Sequence, residues 1–187
     1  MRDDVTVVVP GIRKSHWPFL YKTLCNSVSR DFQLIIVSPY DLPDELADKD
    51  NIKFVKDYGS PARCQQIGLC HTTTKYVTWA ADDCAFFKGR LEELLQFYES
   101  NKTSEKDIGI YKYFEGACGQ NGVKHSTGQT EMSKWSYYKI SNACSWLNSP
   151  FVPSDYWLLN SGILETTYAK EMGGWDTSFE CTFPAHT

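Results

Sequence analysis

The hydrophobic residues in the first hundred positions form two patterns, short continuous runs and sets spaced three or four residues apart. The runs at residues 5–9, 32–37 and 52–55 are rich in β-branched side chains, so each predicts a buried strand. A fourth run begins at residue 75 and predicts a strand that leads straight into Asp82 and Asp83.

The spaced sets lie between these runs and predict amphipathic helices. They begin near residue 17, cover residues 60–71 and 91–98, and include a shorter helix at 42–47. Because strands and helices alternate at short spacing, the sequence predicts an α/β fold with a mainly parallel sheet and helices on both faces.

The second half of the chain has a more mixed pattern. Residues 108–114 and 135–140 predict strands, and the Gly-, Gln- and Thr-rich segment 116–130 between them predicts a flexible or hairpin loop. Residues 167–172 predict a helix that ends at Gly173-Gly174.

Composition limits the class of protein. The 187 residues are 42% hydrophobic and 22% charged, and no repeat or linker divides them, so we expect a single globular domain over residues 1–187. A net charge of −4 gives no long-range attraction for nucleic acid, which is not an expected partner. The absence of a leader pattern, of a membrane-spanning apolar stretch and of any Cys-x-x-Cys pair predicts a cytoplasmic protein with seven reduced cysteines packed in its core.

Asp82 and Asp83 are the strongest chemical signal in the sequence. Ligands bind open α/β sheets just beyond the carboxyl ends of the strands, and two carboxylates there can hold a hard divalent cation together with substrate phosphates. A helix N-cap is the alternative, although one Asp would suffice for it. The chain has no Gly-x-Gly-x-x-Gly after its first strand and no Gly-Lys-Ser/Thr loop, which argues against a dinucleotide dehydrogenase or a P-loop enzyme.

Five segments together carry a resemblance to a known family. They are the first strand ending in Pro10, the second ending at Ser38, the helix start at residues 59–63, the Asp82-Asp83 pair, and Gly173-Gly174-Trp175-Asp176-Thr177-Ser178-Phe179. In this order they resemble family 2 glycosyltransferases of the GT-A fold over nearly the whole chain. The last segment is similar to the Gly-Gly-aromatic-Asp-x-x-Phe motif that borders the acceptor site in that family.

The resemblance implies a Rossmann-like, three-layer α/β/α fold with a mainly parallel central sheet and a mixed second half. Residues 1–100 would form the nucleotide-binding half, and residues 101–187 the half that binds the donor sugar and the acceptor. A homo-oligomer is compatible with this division. The implied partners are a nucleotide-diphosphate sugar and a glycan, lipid-linked or small-molecule acceptor.

The same resemblance implies site residues at the strand ends. Those that would bind the nucleotide are Pro10, Gly11, Ile12, Arg13, Ser38, Asp57, Arg63 and Asp82. Arg63 would lie near the ribose or diphosphate, with a surface ion pair as its alternative role. Asp83, with Asp82 beside it, would hold Mn²⁺ or Mg²⁺ against the diphosphate. The donor-sugar or acceptor pocket would be lined by Trp157, Asn160, Ser161, Gly162, Gly174 and Trp175.

The implied reaction is metal-dependent transfer of a sugar to an acceptor hydroxyl with inversion. Inverting members use an acid shortly after the Gly-Gly-aromatic motif as general base. The catalytic candidates are Glu180 and Asp176, with His186 behind them, and we expect Asp176 to order its own loop instead. The chain ends near where this acid belongs. A truncated chain, an oligomer that completes its site from a neighbour and a domain that binds without turnover are therefore all open.

Two departures from the family pattern concern the donor site. Ala81 stands where the acidic motif usually begins, and residues 38–41 replace the usual Asp after the second strand, with Asp41 as a possible substitute. Two other functions are open as well. One is a non-catalytic nucleotide- or glycan-binding relative. The other, ranked last, is a nucleotidyltransferase. Such enzymes bind triphosphate with a Gly-rich, Lys/Arg-containing loop after the first strand, and residues 11–14 match this loop only weakly.

Overall fold

The computed structural model describes residues 5–110 and 162–178, and between them only three short strands. The first half contains β1 (Val5–Pro10), a 3-10 turn (Lys14–His16), α1 (Trp17–Ser27), β2 (Phe32–Ser38), α2 (Asp44–Ala47), β3 (Ile52–Lys56), α3 (Pro61–His71), β4 (Tyr76–Trp79) and α4 (Arg90–Asn101). The second half contains β5 (Asp107–Ile110), β6 (Gly116–Gly119), β7 (Gly122–His125), β8 (Ser136–Lys139), β9 (Gly162–Glu165) and α5 (Thr166–Glu171).

The main sheet has the strand order β3-β2-β1-β4-β9-β5-β8. Its first four strands are parallel, whereas β9, β5 and β8 pair antiparallel with their neighbours. The predicted parallel first half and mixed second half are both confirmed. Within the predicted loop 116–130, β6 and β7 form an antiparallel hairpin, and the rest of that loop lies outside the described residues.

Alternation along β1 explains the three layers. Val5, Val7 and Val9 belong to the apolar cluster that includes the buried faces of α1 and α4. Val8 points to the other side of the sheet, where it joins Leu69 of α3 and residues of β9 and α5. A strand buried on both faces requires helices above and below it, as the apolar run of β1 predicted.

The strand before the acidic pair is shorter than the sequence predicted, because β4 ends at Trp79. The Ala80 amide still donates to the Val8 carbonyl at 3.0 Å. The next position of β1 that faces β4 is Pro10, which has no N–H to extend the ladder. The chain then turns, and Asp82 and Asp83 lie in this turn.

The ends of two helices follow the sequence prediction closely. Ser60 caps α3 by accepting the Arg63 amide at 3.2 Å, and Pro61 occupies the first turn. After α5, Gly173 (φ 90°) and Gly174 (φ 72°) adopt left-handed conformations that end the helix.

The cysteine prediction is only partly correct. Cys64 is buried and Cys84 half-buried, but Cys25 and Cys70 are exposed, and all four are free thiols. In the described part of the chain, every helix is too short or too polar to span a bilayer.

Arg30 fastens the segment after α1 to α4. Its guanidinium contacts Glu92 at 2.8 Å and Glu99 at 2.8 Å, and Glu92 also accepts the Ser29 amide at 3.1 Å. Hydrogen bonding to Arg30 lowers the pKa of Glu92 from 4.5 to about 2.

This lowered pKa predicts a loss of stability in acid. A depressed carboxyl pKa stabilises the fold above pH 4.5, and the contribution disappears as the pH falls toward about 2. We expect Glu92→Gln to lower the free energy of unfolding at pH 7 by about 1–2 kcal/mol and to flatten its decline below pH 5, as measured by urea denaturation. Glu93→Gln, in an exposed ion pair with Arg90 on the same helix, should change it by no more than about 0.5 kcal/mol. Equal effects of the two variants would contradict the assignment.

Candidate functional site

The parallel strands β1 to β4 bring their carboxyl ends to one edge of the sheet. Backbone bonds join these ends, since the Gly11 amide donates to the Val37 carbonyl at 2.9 Å and the Asp57 amide to the Ser38 carbonyl at 3.1 Å. The antiparallel β9 begins at this edge, where the Thr78 hydroxyl donates to the Gly162 carbonyl at 2.7 Å. The edge therefore unites the sequence-predicted site residues of the first half with Gly162.

Asp82 is buried, with 3% of its side chain exposed. Its Oδ2 accepts the backbone amides of Ile12 at 2.7 Å and Arg13 at 2.5 Å, while its Oδ1 accepts from Nη1 of Arg13 at 2.5 Å. All three donors belong to the segment that follows β1. The carboxylate consequently holds this segment, which we call the β1 loop (residues 11–13), against the turn after β4.

Asp83 has a different environment from its neighbour. Its side chain is 43% exposed, and its Oδ2 lies 3.2 Å from Nη1 of Arg13, the same nitrogen that contacts Asp82. The Arg13 guanidinium therefore bridges both carboxylates while remaining 47% exposed itself. The N-cap alternative is wrong for both acids, because α4 begins at Arg90 after Gly89.

Gly11 is required by the close approach of the β1 loop to α1. A Cβ added there would lie 2.7 Å from the ring of Trp17, whose side chain is fully buried. Pro10 ends β1 just before this contact, and Ile12 beyond it is 62% exposed. The fixed loop thus presents Ile12 and Arg13 outward from the sheet edge.

Asp57 and Arg63 bind each other. The carboxylate accepts Nε and Nη2 of Arg63, each at 2.9 Å, and also the Gly59 amide at 2.8 Å. The Arg63 bond is the main cause of the lowered pKa of Asp57. The structure thus contains the ion pair that was the alternative role of Arg63, and contact of either residue with a nucleotide stays a prediction.

β2 ends in a serine, and no acid directly follows the strand. Ser38 is buried, and its hydroxyl accepts the Tyr40 amide at 3.0 Å, which shapes the following turn. Asp41 pairs with Lys56 at 2.7 Å, and this bond lowers the Asp41 pKa. Tyr40 and Tyr58, which follow β2 and β3, are 52% and 78% exposed. No pattern in the sequence marks these two rings, because side-chain exposure after a strand end has no periodic signal.

The loop after α5, residues 173–175, packs against α3 and β4. The Trp175 amide donates to Oε1 of Gln66 at 2.8 Å, and the Trp175 ring meets Trp79 edge to face with centroids 4.7 Å apart. Gly174 has the left-handed φ of 72° that favours glycine, and a Cβ there would clash with Oε1 of Gln66 and disturb its bond to Trp175. Gln66 was not singled out from the sequence, since only the fold brings it to this loop.

Of the two catalytic candidates, Asp176 lies within the described residues and Glu180 does not. Asp176 accepts the Ser178 amide at 2.9 Å, and its bonds to Ser178 lower its pKa, in agreement with the expected loop-ordering role. Glu180 and the pocket residues Trp157, Asn160 and Ser161 lie outside the described residues. Their roles stay predictions.

The acidic pair fits a cation that is shared with a ligand. Across the residues that the structure describes, no three His, Cys, Asp or Glu side chains converge on a common point. Mg²⁺ and similar hard cations commonly bind through one or two carboxylates and complete their shell with water and substrate phosphates. The half-exposed Asp83 provides such a carboxylate, whereas Asp82 would add Oδ1 only if Arg13 moved. Metal binding by either residue stays a prediction.

Comparison with solved structures identifies the fold. The chain is similar to S. aureus TarS residues 1–349, with a TM-score of 0.65 and 16% identity, covering 99% of this chain and 53% of that one. The same TarS fragment in complex with UDP gives a TM-score of 0.65 at 17% identity over 97% of this chain. In complex with UDP-GlcNAc it gives 0.61 at 16% identity over 94%. No family model and no curated protein sequence matches the chain.

This likeness confirms the GT-A-like α/β fold that the sequence resemblance implied. The chain spans about half of the 349-residue TarS fragment, and 33% of the full TarS structure. At this level of identity, the likeness establishes the fold of the chain.

The two adjacent acids should differ sharply in their effect on stability. Asp82→Asn removes a buried charge that accepts three hydrogen bonds, so we expect the free energy of unfolding to fall by about 2–4 kcal/mol. Asp83→Asn changes a half-exposed carboxylate and should cost no more than about 0.5 kcal/mol. Urea denaturation of both variants measures the difference, and similar values would contradict the structural role of Asp82.

Gln66 should control the opening of the loop at residues 173–175. We expect Gln66→Ala to raise the hydrogen-exchange rate of the Trp175 amide about fivefold, because the lost bond contributes about 1 kcal/mol. Gln65→Ala, a neighbouring change on α3, is the control and should leave this rate unaltered. An unchanged Trp175 rate in the Gln66 variant would contradict the anchoring role.

Proposed function

We propose that this chain binds a nucleoside-diphosphate sugar at the carboxyl edge of its sheet and belongs to a metal-dependent glycosyltransferase. One observation carries the proposal. In a GT-A-like fold, the half-exposed groups Arg13 and Asp83 lie side by side at the edge where ligands of α/β sheets bind. The similarity to TarS solved with UDP and with UDP-GlcNAc supports a uridine nucleotide as the first donor to test.

The charges at this edge suit a diphosphate. The Arg13 guanidinium presents several donors in a planar fork, which matches phosphate oxygens. Asp83 repels phosphate unless a cation lies between them, and a shared Mn²⁺ or Mg²⁺ would stabilise the charge that develops on the leaving diphosphate. Arg13 and Asp83 thus have complementary roles toward one anionic group.

The exposed aromatic rings suit the nucleoside. Tyr40 and Tyr58 follow the carboxyl ends of β2 and β3, on the side of β1 away from the acidic turn. An exposed tyrosine ring offers a face on which a nucleobase can stack. We infer that the base lies over β2 and β3 while the diphosphate lies over β1 and β4.

The reaction requires a base that the described residues do not supply. The acceptor oxygen forms a bond to the anomeric carbon, the bond from that carbon to the phosphate oxygen breaks, and the hydroxyl proton passes to a carboxylate. Because Asp176 is engaged by Ser178, we assign this role to Glu180. Attack from the face opposite the diphosphate inverts the anomeric centre.

A second candidate is a domain that binds the nucleotide sugar without turnover. The engagement of Asp176 by Ser178 and of Asp82 by the β1 loop favours it, because both remove acids from the reactive set. Donor hydrolysis separates the two functions. Slow release of UDP from UDP-GlcNAc supports an enzyme, whereas binding without release supports the non-catalytic domain.

Calorimetric titration with UDP, UDP-GlcNAc and GDP, with and without Mn²⁺, tests the proposed function. We expect UDP binding that Mn²⁺ strengthens, and we expect Asp83→Asn to weaken Mn²⁺-dependent UDP binding at least tenfold, equivalent to about 1.4 kcal/mol.

Asp48→Asn is the matched control for this titration. Asp48 is an exposed acid in the connection from α2 to β3, so this variant removes the same charge away from the acidic turn and should bind UDP like the unchanged protein. The absence of binding with every nucleotide would overturn the proposal, and full retention of Mn²⁺-dependent binding by the Asp83 variant would refute the metal assignment.

A further inference from the structure

We propose that Arg13 is an internal counter-ion that blocks the cation site at Asp82 and Asp83 until a diphosphate draws it away. This inference rests on the proposed function, because it assigns the order in which the cation and the donor bind. Arg13 would thus both contact the donor diphosphate and control when the cation can bind.

One nitrogen atom of Arg13 lies against both acids. Nη1 of Arg13 lies 2.5 Å from Oδ1 of Asp82 and 3.2 Å from Oδ2 of Asp83, so a positive charge already bridges the two carboxylates. A divalent cation held by both acids would bind their carboxylate oxygens in place of this nitrogen. The guanidinium and the cation therefore compete for one position.

The two oxygens of Asp82 are not equivalent in this competition. Oδ2 is held by the Ile12 and Arg13 backbone amides, and these bonds persist when the Arg13 side chain moves. Oδ1 is bonded to the guanidinium, so departure of that group exposes an acceptor aimed at the turn. The carboxylate can thus exchange its partner without releasing the β1 loop.

A diphosphate makes the exchange favourable. A cation alone must displace Arg13 and leave its guanidinium with no anionic partner at the site. When a diphosphate is present, Arg13 can form charge-assisted bonds to phosphate oxygens while the cation takes its place between the acids. Cation and diphosphate should therefore bind with positive coupling.

The chain offers a contrasting arginine at the same edge. Arg63 is also exposed, but within the described residues it forms a two-point bond with Asp57 and contacts no second acid. Displacing Arg63 would consequently open no site between two carboxylates. Arg30 does bridge two acids, Glu92 and Glu99, but it precedes β2 and lies at the opposite end of that strand from the site.

The experiment compares Mn²⁺ alone and UDP alone for the unchanged protein and Arg13→Gln. Free Mn²⁺ is measured by electron paramagnetic resonance, and UDP binding by calorimetry in the presence of a chelator. We expect Arg13→Gln to bind Mn²⁺ about tenfold more tightly and UDP at least fivefold more weakly. These opposite shifts cannot result from partial unfolding, which would weaken both.

Arg90→Gln is the matched control. It removes the same charge from an exposed ion pair on α4 and should alter both affinities by less than about twofold. Arg13→Lys provides a second variant that keeps a charge for the buried Asp82, and its ammonium group cannot supply the planar fork. It should weaken UDP binding as Arg13→Gln does but keep Mn²⁺ binding within about twofold of the unchanged protein, because a positive charge remains beside the acids. Circular dichroism verifies that each variant is folded.

The outcomes are distinct. Unchanged or weaker Mn²⁺ binding by Arg13→Gln would overturn the block, and unchanged UDP binding by both Arg13 variants would overturn the transfer of Arg13 to the diphosphate. If the unchanged protein binds no UDP with or without Mn²⁺, the proposed function itself fails. If the unchanged protein binds UDP but the Arg13 variants do not differ from it as expected, only the role of Arg13 fails.

Discussion

The buried carboxylate of Asp82 is the interaction on which the site depends. It accepts three hydrogen bonds from the β1 loop, which lies 69 and 70 positions earlier in the chain. An ionised carboxylate is stable in such a place only when donors surround it. By meeting this requirement, the protein joins the ends of its two central strands and fixes the backbone at the edge of the sheet.

The other charges at this edge follow the same rule. Arg63 is held by Asp57, and Lys56, the last residue of β3, pairs with Asp41. Such pairing reduces the freedom that long side chains would lose when a ligand binds. It also means that an anionic ligand must exchange partners with acids already present, and this exchange would set its affinity.

The loop after α5 is held near the end of β4 by an aromatic contact and an amide hydrogen bond. Trp79, the last residue of β4, supports Trp175, and Gln66 of α3 holds the Trp175 amide. Glycine at position 174 lets the backbone approach Gln66 closely. A motif that reads in the sequence as a helix end and a turn is thus fixed in place by two distant elements, α3 and β4.

The sequence by itself determined the helices and strands of the first half, their parallel order and the glycine stop after α5, because apolar periodicity and backbone preferences act locally. It also placed the residues that follow these strands at one edge of the sheet, since parallel strands end on the same side. It did not predict β9, which completes the sheet between β4 and β5. Only the tertiary structure decided that Asp82 is buried and Asp83 is half-exposed, that β4 stops at Trp79, and that Gln66 anchors Trp175. Beyond a strand end no periodicity dictates where a side chain points, and its direction depends on donors and packing surfaces supplied by residues far away in the chain.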